Sequence, residues 1–193
     1  MTVAIIQYNT GNTCSVQFAL ERLGVRAVIS SDPDTIRAAD KVIFPGVGAA
    51  AAAMRYLEST GLDHVIRSLT QPVLGICLGM QLLCRHSEEG DTRCLDIIDM
   101  PVKKFRGNAK IPQVGWNQVS EMTSPLFRNI AADSNVYFVH SYYVPRGACT
   151  IGITDYILPY SAALRQRNFY GVQFHPEKSG AAGQAILSNF LDL

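Results

Sequence analysis

The chain has almost no net charge, no long apolar run and no paired cysteines, and each shortage removes a class of function. Its 17 Lys and Arg residues are balanced by 16 Asp and Glu, a net charge of +1, so no global field points to nucleic acid or an anionic membrane. The alanine-dense stretch Ala49–Ala53 is cut short by Arg55 and Glu58, far below bilayer-spanning length. Met1 and Thr2 run straight into Val3–Ile6, with no basic segment and no small-residue cleavage site, so no secretory leader is expected. Five cysteines (Cys14, Cys77, Cys84, Cys94 and Cys149) form neither a C-x-x-C pair nor a zinc-like spacing. The expectation is free thiols in a reducing cytoplasm, with no metal site and no cofactor. The G-x-G-x-x-G dinucleotide spacing is also absent. No repeat, linker or charge block divides the chain, which predicts one domain over residues 1–193.

What is present is a globular composition, 48% hydrophobic and 17% charged. The first half alternates β-rich and helical runs. Strands are predicted at Val3–Tyr8, Arg26–Ser31, Lys41–Phe44 (stopped by Pro45-Gly46) and Val73–Ile76. Helices are predicted at Thr13–Leu23, Ala49–Glu58, Leu62–Leu69 and from Leu78 onward, with Cys84 on a core face of that last helix. This alternation with apolar strands implies an α/β fold, a mostly parallel sheet covered on both faces. The second half is aromatic and β-branched at Val136–Val144, Thr150–Tyr156, Ser161–Gln166 and Phe169–Phe174, which predicts antiparallel strands added to that sheet. Arg85–Arg93 reads as a solvated loop, and Ala181–Leu193 as a closing helix.

Three strand-end motifs carry chemistry. Gly75-Ile76-Cys77-Leu78-Gly79 follows an apolar strand and opens a helix, the arrangement of a nucleophile elbow with cysteine as nucleophile. Small residues flank such a turn because it is tight, and the Leu78 N–H is left to stabilise an oxyanion. Taken alone, the motif fits a buried core cysteine equally well. Phe174-His175-Pro176-Glu177 ends another predicted strand, placing a carboxylate two residues after a histidine on the same side of an extended segment. A cysteine nucleophile needs such a base, and the base an orienting group. Pro45-Gly46-Val47-Gly48 supplies two glycines that free backbone N–H groups to point inward. Each motif is weak by itself; three together predict a catalytic site.

With these motifs, and with Gly79-Met80-Gln81, Val114-Gly115-Trp116-Asn117, Tyr137-Phe138-Val139-His140-Ser141-Tyr142 and Glu177-Lys178-Ser179-Gly180, the chain resembles the class I (triad) glutamine amidotransferases over nearly its full length. Within them it is similar to the branch that serves imidazole glycerol phosphate synthase in histidine biosynthesis. The resemblance implies a triad of Cys77, His175 and Glu177 that hydrolyses glutamine through a thioester. It implies oxyanion donors at the N–H groups of Leu78 and, after a flip of the Pro45–Gly48 strand, Val47. Gly48, Gln81 and the backbone near His140, Ser141 and Tyr142 would hold the amino-acid end of glutamine. It also implies a heterodimer with the cyclase subunit of that synthase, which receives the ammonia. Asn12, Trp116, Tyr137 and Lys178 match interface positions; for Trp116 and Tyr137 a core role is an equal alternative. A related cysteine hydrolase and a non-catalytic subunit on the same fold are the competing functions.

Overall fold

The computed structural model describes residues 1–9, 11–132 and 134–193. The elements run β1 Val3–Ile6, α1 Thr13–Arg22, β2 Ala27–Ser30, α2 Pro33–Ala38, β3 Lys41–Gly46, α3 Ala50–Thr60, α4 Leu62–Ser68, β4 Val73–Cys77 and α5 Leu78–Leu83. There follow β5 Cys84–Ser87, β6 Thr92–Arg93, β7 Ile98–Lys104, β8 Gln113–Gln118, β9 Asn135–His140, β10 Tyr142–Tyr143, β11 Thr150–Tyr156, β12 Leu158–Gln166, β13 Phe169–Val172 and α6 Gly180–Leu191. No described helix is long and apolar enough to cross a membrane.

A seven-stranded sheet in the order β11-β12-β13-β4-β3-β1-β2 forms the centre of a single α/β domain. The five strands from β13 to β2 run parallel, and β12 and β11 are added antiparallel at one side. Strand residues are buried on both faces because side chains alternate between two cores. Ala4, Ile6, Val42, Phe44 and Val73 pack with α2 to α5, while Val3, Ile5, Ile43, Leu74 and Ile76 pack with α1 and α6. The mostly parallel α/β architecture agrees with the periodicity of the first half.

Several local expectations need correction. The strand at Lys41 continues through Pro45 and Gly46, which pair with Ile76 and Cys77 of β4. Pro45 is tolerated because its neighbour β1 pairs only as far as Ile43, so β3 has one partner at this end. Phe169–Val172 is parallel to β4 and antiparallel only to β12. The 136–144 run is two strands in two smaller sheets: β9 pairs with β8, and after Ser141 the chain turns so that β10 pairs with β7. The segment 85–93 is a hairpin of β5 and β6 rather than a loop throughout. Cys84 is buried as expected, but at the start of β5, because α5 ends at Leu83.

The register of β3 and β4 brings Gly46 beside Cys77, so two of the predicted motifs meet at the carboxyl end of the sheet. The contact is close enough to dictate residue type. A Cβ on Gly79 would lie 1.8 Å from the Phe44 carbonyl oxygen, and one on Gly75 would lie 2.8 Å from the Met80 nitrogen. Gly79→Ala therefore forces backbone apart and should exceed the cost of about 1–3 kcal/mol usual for overpacking. At about 2–4 °C per kcal/mol for a chain of this size, thermal unfolding followed by circular dichroism should show a clear drop in Tm; an unchanged Tm would contradict the packing described.

Candidate active site

Cys77 ends β4 and precedes α5 with φ 53° and ψ −109°, a conformation that L residues rarely adopt. The turn is held by the glycines on either side and turns the sulfur into a cavity of about 340 Å³, near the small end of ligand-site volumes. Val47, Gly48, Leu78 and Gln81 line the cavity beside Cys77, and Val139 to Tyr142 and His175 line it opposite in sequence. Gly48 has φ 98°, which requires glycine, and Val47 is partly exposed. All the predicted oxyanion and substrate positions thus border one space.

The strand preceding the base ends at Val172, and His175 caps a short 3-10 turn, Pro176–Lys178. The extended geometry expected for His175–Glu177 is therefore replaced by a turn, which Pro176 favours at its first position. The contact survives: His175 Nδ1 and Glu177 Oε1 are 2.7 Å apart, with both side chains almost fully buried. The carboxylate accepts from Nδ1–H, which leaves Nε2 as the working nitrogen. Nε2 is buried and has no hydrogen-bond partner among the described residues. Burial alone would push the His175 pKa down. Contact with the Cys77 sulfur and the hydrogen bond to Glu177 outweigh burial and raise it to about 10. The shift favours the protonated ring.

His140 behaves oppositely. Its Nδ1 lies 2.7 Å from the Tyr142 carbonyl and its Nε2 2.9 Å from the Tyr160 hydroxyl. Burial pushes its pKa down to about 4, so the ring stays neutral, with both nitrogens already partnered.

The four predicted interface residues gather beside the triad. Asn12 starts α1 with φ 80° and makes no side-chain cap bond; its amide donates instead to Glu177 Oε1. The Tyr137 carbonyl accepts from the His175 N–H at 2.9 Å, and the Tyr137 N–H donates to Ser179 Oγ at 2.9 Å. The Trp116 ring meets Tyr137 edge-on at 5.8 Å. Trp116 is 58% exposed, which overturns the core alternative for it, whereas Tyr137 is half-buried. Lys178 is exposed on the turn that carries Glu177. These contacts form one patch around the 3-10 turn.

Two residues of the site went unnoticed in the sequence. Glu89 lines the cavity, and its Oε2 accepts from the Ala50 N–H at the start of α3. Only the β5–β6 hairpin brings it there, and a hairpin in a polar run gave no periodic signal. Gln173 is fully buried with its side-chain nitrogen 3.8 Å from Cys77 Sγ. Among the described residues no group of three or more His, Cys, Asp or Glu side chains could hold a metal ion.

The profile of the family "Glutamine amidotransferase class-I" matches residues 4–193. The chain belongs to the class I glutamine amidotransferases. Among relatives of this glutamine amidotransferase, the imidazole glycerol phosphate synthase subunit HisH of Bacteroides fragilis is 57% identical over 100% of both chains. The protein of that name from Idiomarina loihiensis is 48% identical over 100% of this chain and 98% of its own. A solved structure described as a glutamine amidotransferase superposes with a TM-score of 0.75 at 16% identity, covering 98% of this chain and 97% of that one; at that identity it speaks to the fold alone.

The amidotransferase's other thiols are poor competitors for a reagent. Burial pushes the Cys94 thiol up to about 12 and raises Cys84 and Cys149 as well, while Cys14 is exposed away from the cavity lining. A glutamine analogue with an electrophilic side chain should label Cys77 first. Peptide mapping checks this; label found chiefly on any other cysteine would contradict the site.

Proposed function

We propose that this chain is the glutaminase subunit of an imidazole glycerol phosphate synthase, hydrolysing L-glutamine with Cys77, His175 and Glu177 and passing ammonia to a cyclase subunit. The observation that carries the reading is the strained Cys77 elbow facing the same cavity as a buried, carboxylate-oriented His175. The name borne by the full-length relatives supports the choice of synthase.

Cys77 Sγ attacks the carboxamide carbon of glutamine, and the N–H groups of Val47 and Leu78 receive the developing oxyanion. His175 Nε2 gives its proton to the leaving nitrogen as the C–N bond breaks, releasing ammonia and a glutamyl thioester. The same nitrogen, now neutral, takes a proton from water, which attacks the thioester and frees glutamate. Glu177 keeps the ring oriented throughout. Backbone groups of Gly48, Ser141 and Tyr142 hold the amino-acid carboxylate, and Glu89 takes the α-ammonium. Both N–H bonds of the Gln81 amide are engaged, to the Tyr142 carbonyl and to Gln173, so Gln81 offers substrate its oxygen.

The cyclase docks over Asn12, Trp116, Tyr137 and Lys178, the exposed patch that adjoins Glu177. There ammonia meets its acceptor, yielding imidazole glycerol phosphate and aminoimidazole carboxamide ribonucleotide. The unpaired thiols fit a cytoplasmic setting.

Cys77→Ala in the two-subunit complex should reduce glutamine-dependent synthesis to background while synthesis from ammonium salts continues. Glu177→Gln should cost less, about 10²–10⁴-fold in kcat, since it weakens an orienting group rather than a bond-making one. Steady-state assays with both nitrogen donors check this. A Cys77→Ala complex that still uses glutamine would overturn the assignment.

A further inference from the structure

We propose that Gln173 is a positioning residue for the nucleophile: its side-chain amide holds the Cys77 sulfur and ties it to the substrate cavity through Gln81. The proposal rests on the triad reading above and adds a group to it.

Gln173 follows β13 and stands two residues before His175. It is fully buried, and its backbone N–H donates to the Ala162 carbonyl at 2.8 Å. Its side-chain Oε1 accepts from Gln81 Nε2 at 2.9 Å, and its Nε2 donates to Cys77 Sγ at 3.8 Å. Gln81 Nε2 also donates to the Tyr142 carbonyl at 3.1 Å. The direction of this chain is forced. Gln81 presents N–H to Gln173, so the Gln173 oxygen must face Gln81 and its NH₂ must face the sulfur.

Packing does not explain a glutamine here. The side chain is fully buried, and a buried amide is costly unless bonded at both ends. Leucine or methionine would fill the space without that demand. The amide supplies what they lack: a donor to sulfur that cannot itself be deprotonated, and so never competes with His175 for the proton. A hydrogen bond to the charged form favours that form, so Gln173 stabilises the thiolate. In the thiol form the S–H has a different partner, the Val139 carbonyl at 3.9 Å. Gln81 and Tyr142 also line the cavity, so one network serves substrate and sulfur together.

The test is the pH dependence of Cys77 alkylation by iodoacetamide in the full chain, followed by peptide mass mapping, for wild type, Gln173→Leu and the similarly long Gln173→Met. Loss of the donor should shift the midpoint of the Cys77 profile upward by about one pH unit, lowering the alkylation rate about tenfold on the acid side of the wild-type midpoint. Gln173→Met, which also lacks a donor, should shift it by a similar amount. An unchanged profile in either variant, with circular dichroism showing a folded chain, overturns the proposal while leaving the triad standing. Should neither variant fold, the wild-type side-chain amide resonance of Gln173 decides. It must move with the same pH midpoint as Cys77 alkylation and lose that movement in Cys77→Ala; a flat resonance overturns the proposal. If Cys77 of the wild type showed no more reactivity than a solvent-exposed cysteine, the triad reading itself would fall.

Discussion

The site depends on one steric arrangement, the approach of the first turn of α5 to the ends of β3 and β4. Without side chains at Gly75 and Gly79 the helix backbone settles almost onto the Phe44 carbonyl. That contact forces the chain through a positive φ at Cys77. Strain of this kind costs on the order of 1–3 kcal/mol and persists only where the surroundings over-determine it. Here both flanks are central elements of the parallel sheet, whose residues are buried on both faces. The sulfur is thereby set at the carboxyl end of the strands, where open α/β sheets bind ligands.

Everything else in the site is arranged around that fixed sulfur. His175 is brought to it by a turn beyond β13, the neighbour of β4 on the other side. Burial pushes the pKa of this histidine down, and its contacts with Cys77 and Glu177 outweigh burial. His140, equally buried but facing a carbonyl and a hydroxyl, stays neutral. The two histidines show how the same side chain becomes acid or scaffold according to its partners. Asn12 adds a link from α1 to the buried Glu177, and Tyr137, edge-on to the exposed Trp116, accepts from the His175 N–H.

The parallel half of the fold and the motifs that meet at the cavity were readable because local sequence carries them. Apolar runs such as Val73–Ile76, tight glycines around Cys77, and a histidine and carboxylate two apart are short-range signals. The small sheets were not readable. Ile98–Lys104 does alternate, but Pro101 within it weakens a strand reading, and the partners of the small strands, Cys84–Ser87 and Asn135–His140, lie far off or in polar surroundings. The Glu89 and Gln173 placements failed for the same reason. Each gains its meaning from a neighbour that only the tertiary fold supplies: Ala50 for one, and Gln81 with Cys77 for the other. The exposure of Trp116 was likewise beyond sequence, since a tryptophan in a β-rich segment is compatible with either face.

The central claim is covalent: Cys77 takes the glutamyl group before water does. It is tested most directly by acid quenching of the cyclase-bound chain during turnover of isotopically labelled glutamine, followed by peptide mapping. The account predicts a glutamyl group on the Cys77 peptide, released by hydroxylamine as a thioester should be. Turnover at full rate with no covalent label on Cys77 would mean that His175 activates water directly, and would contradict it.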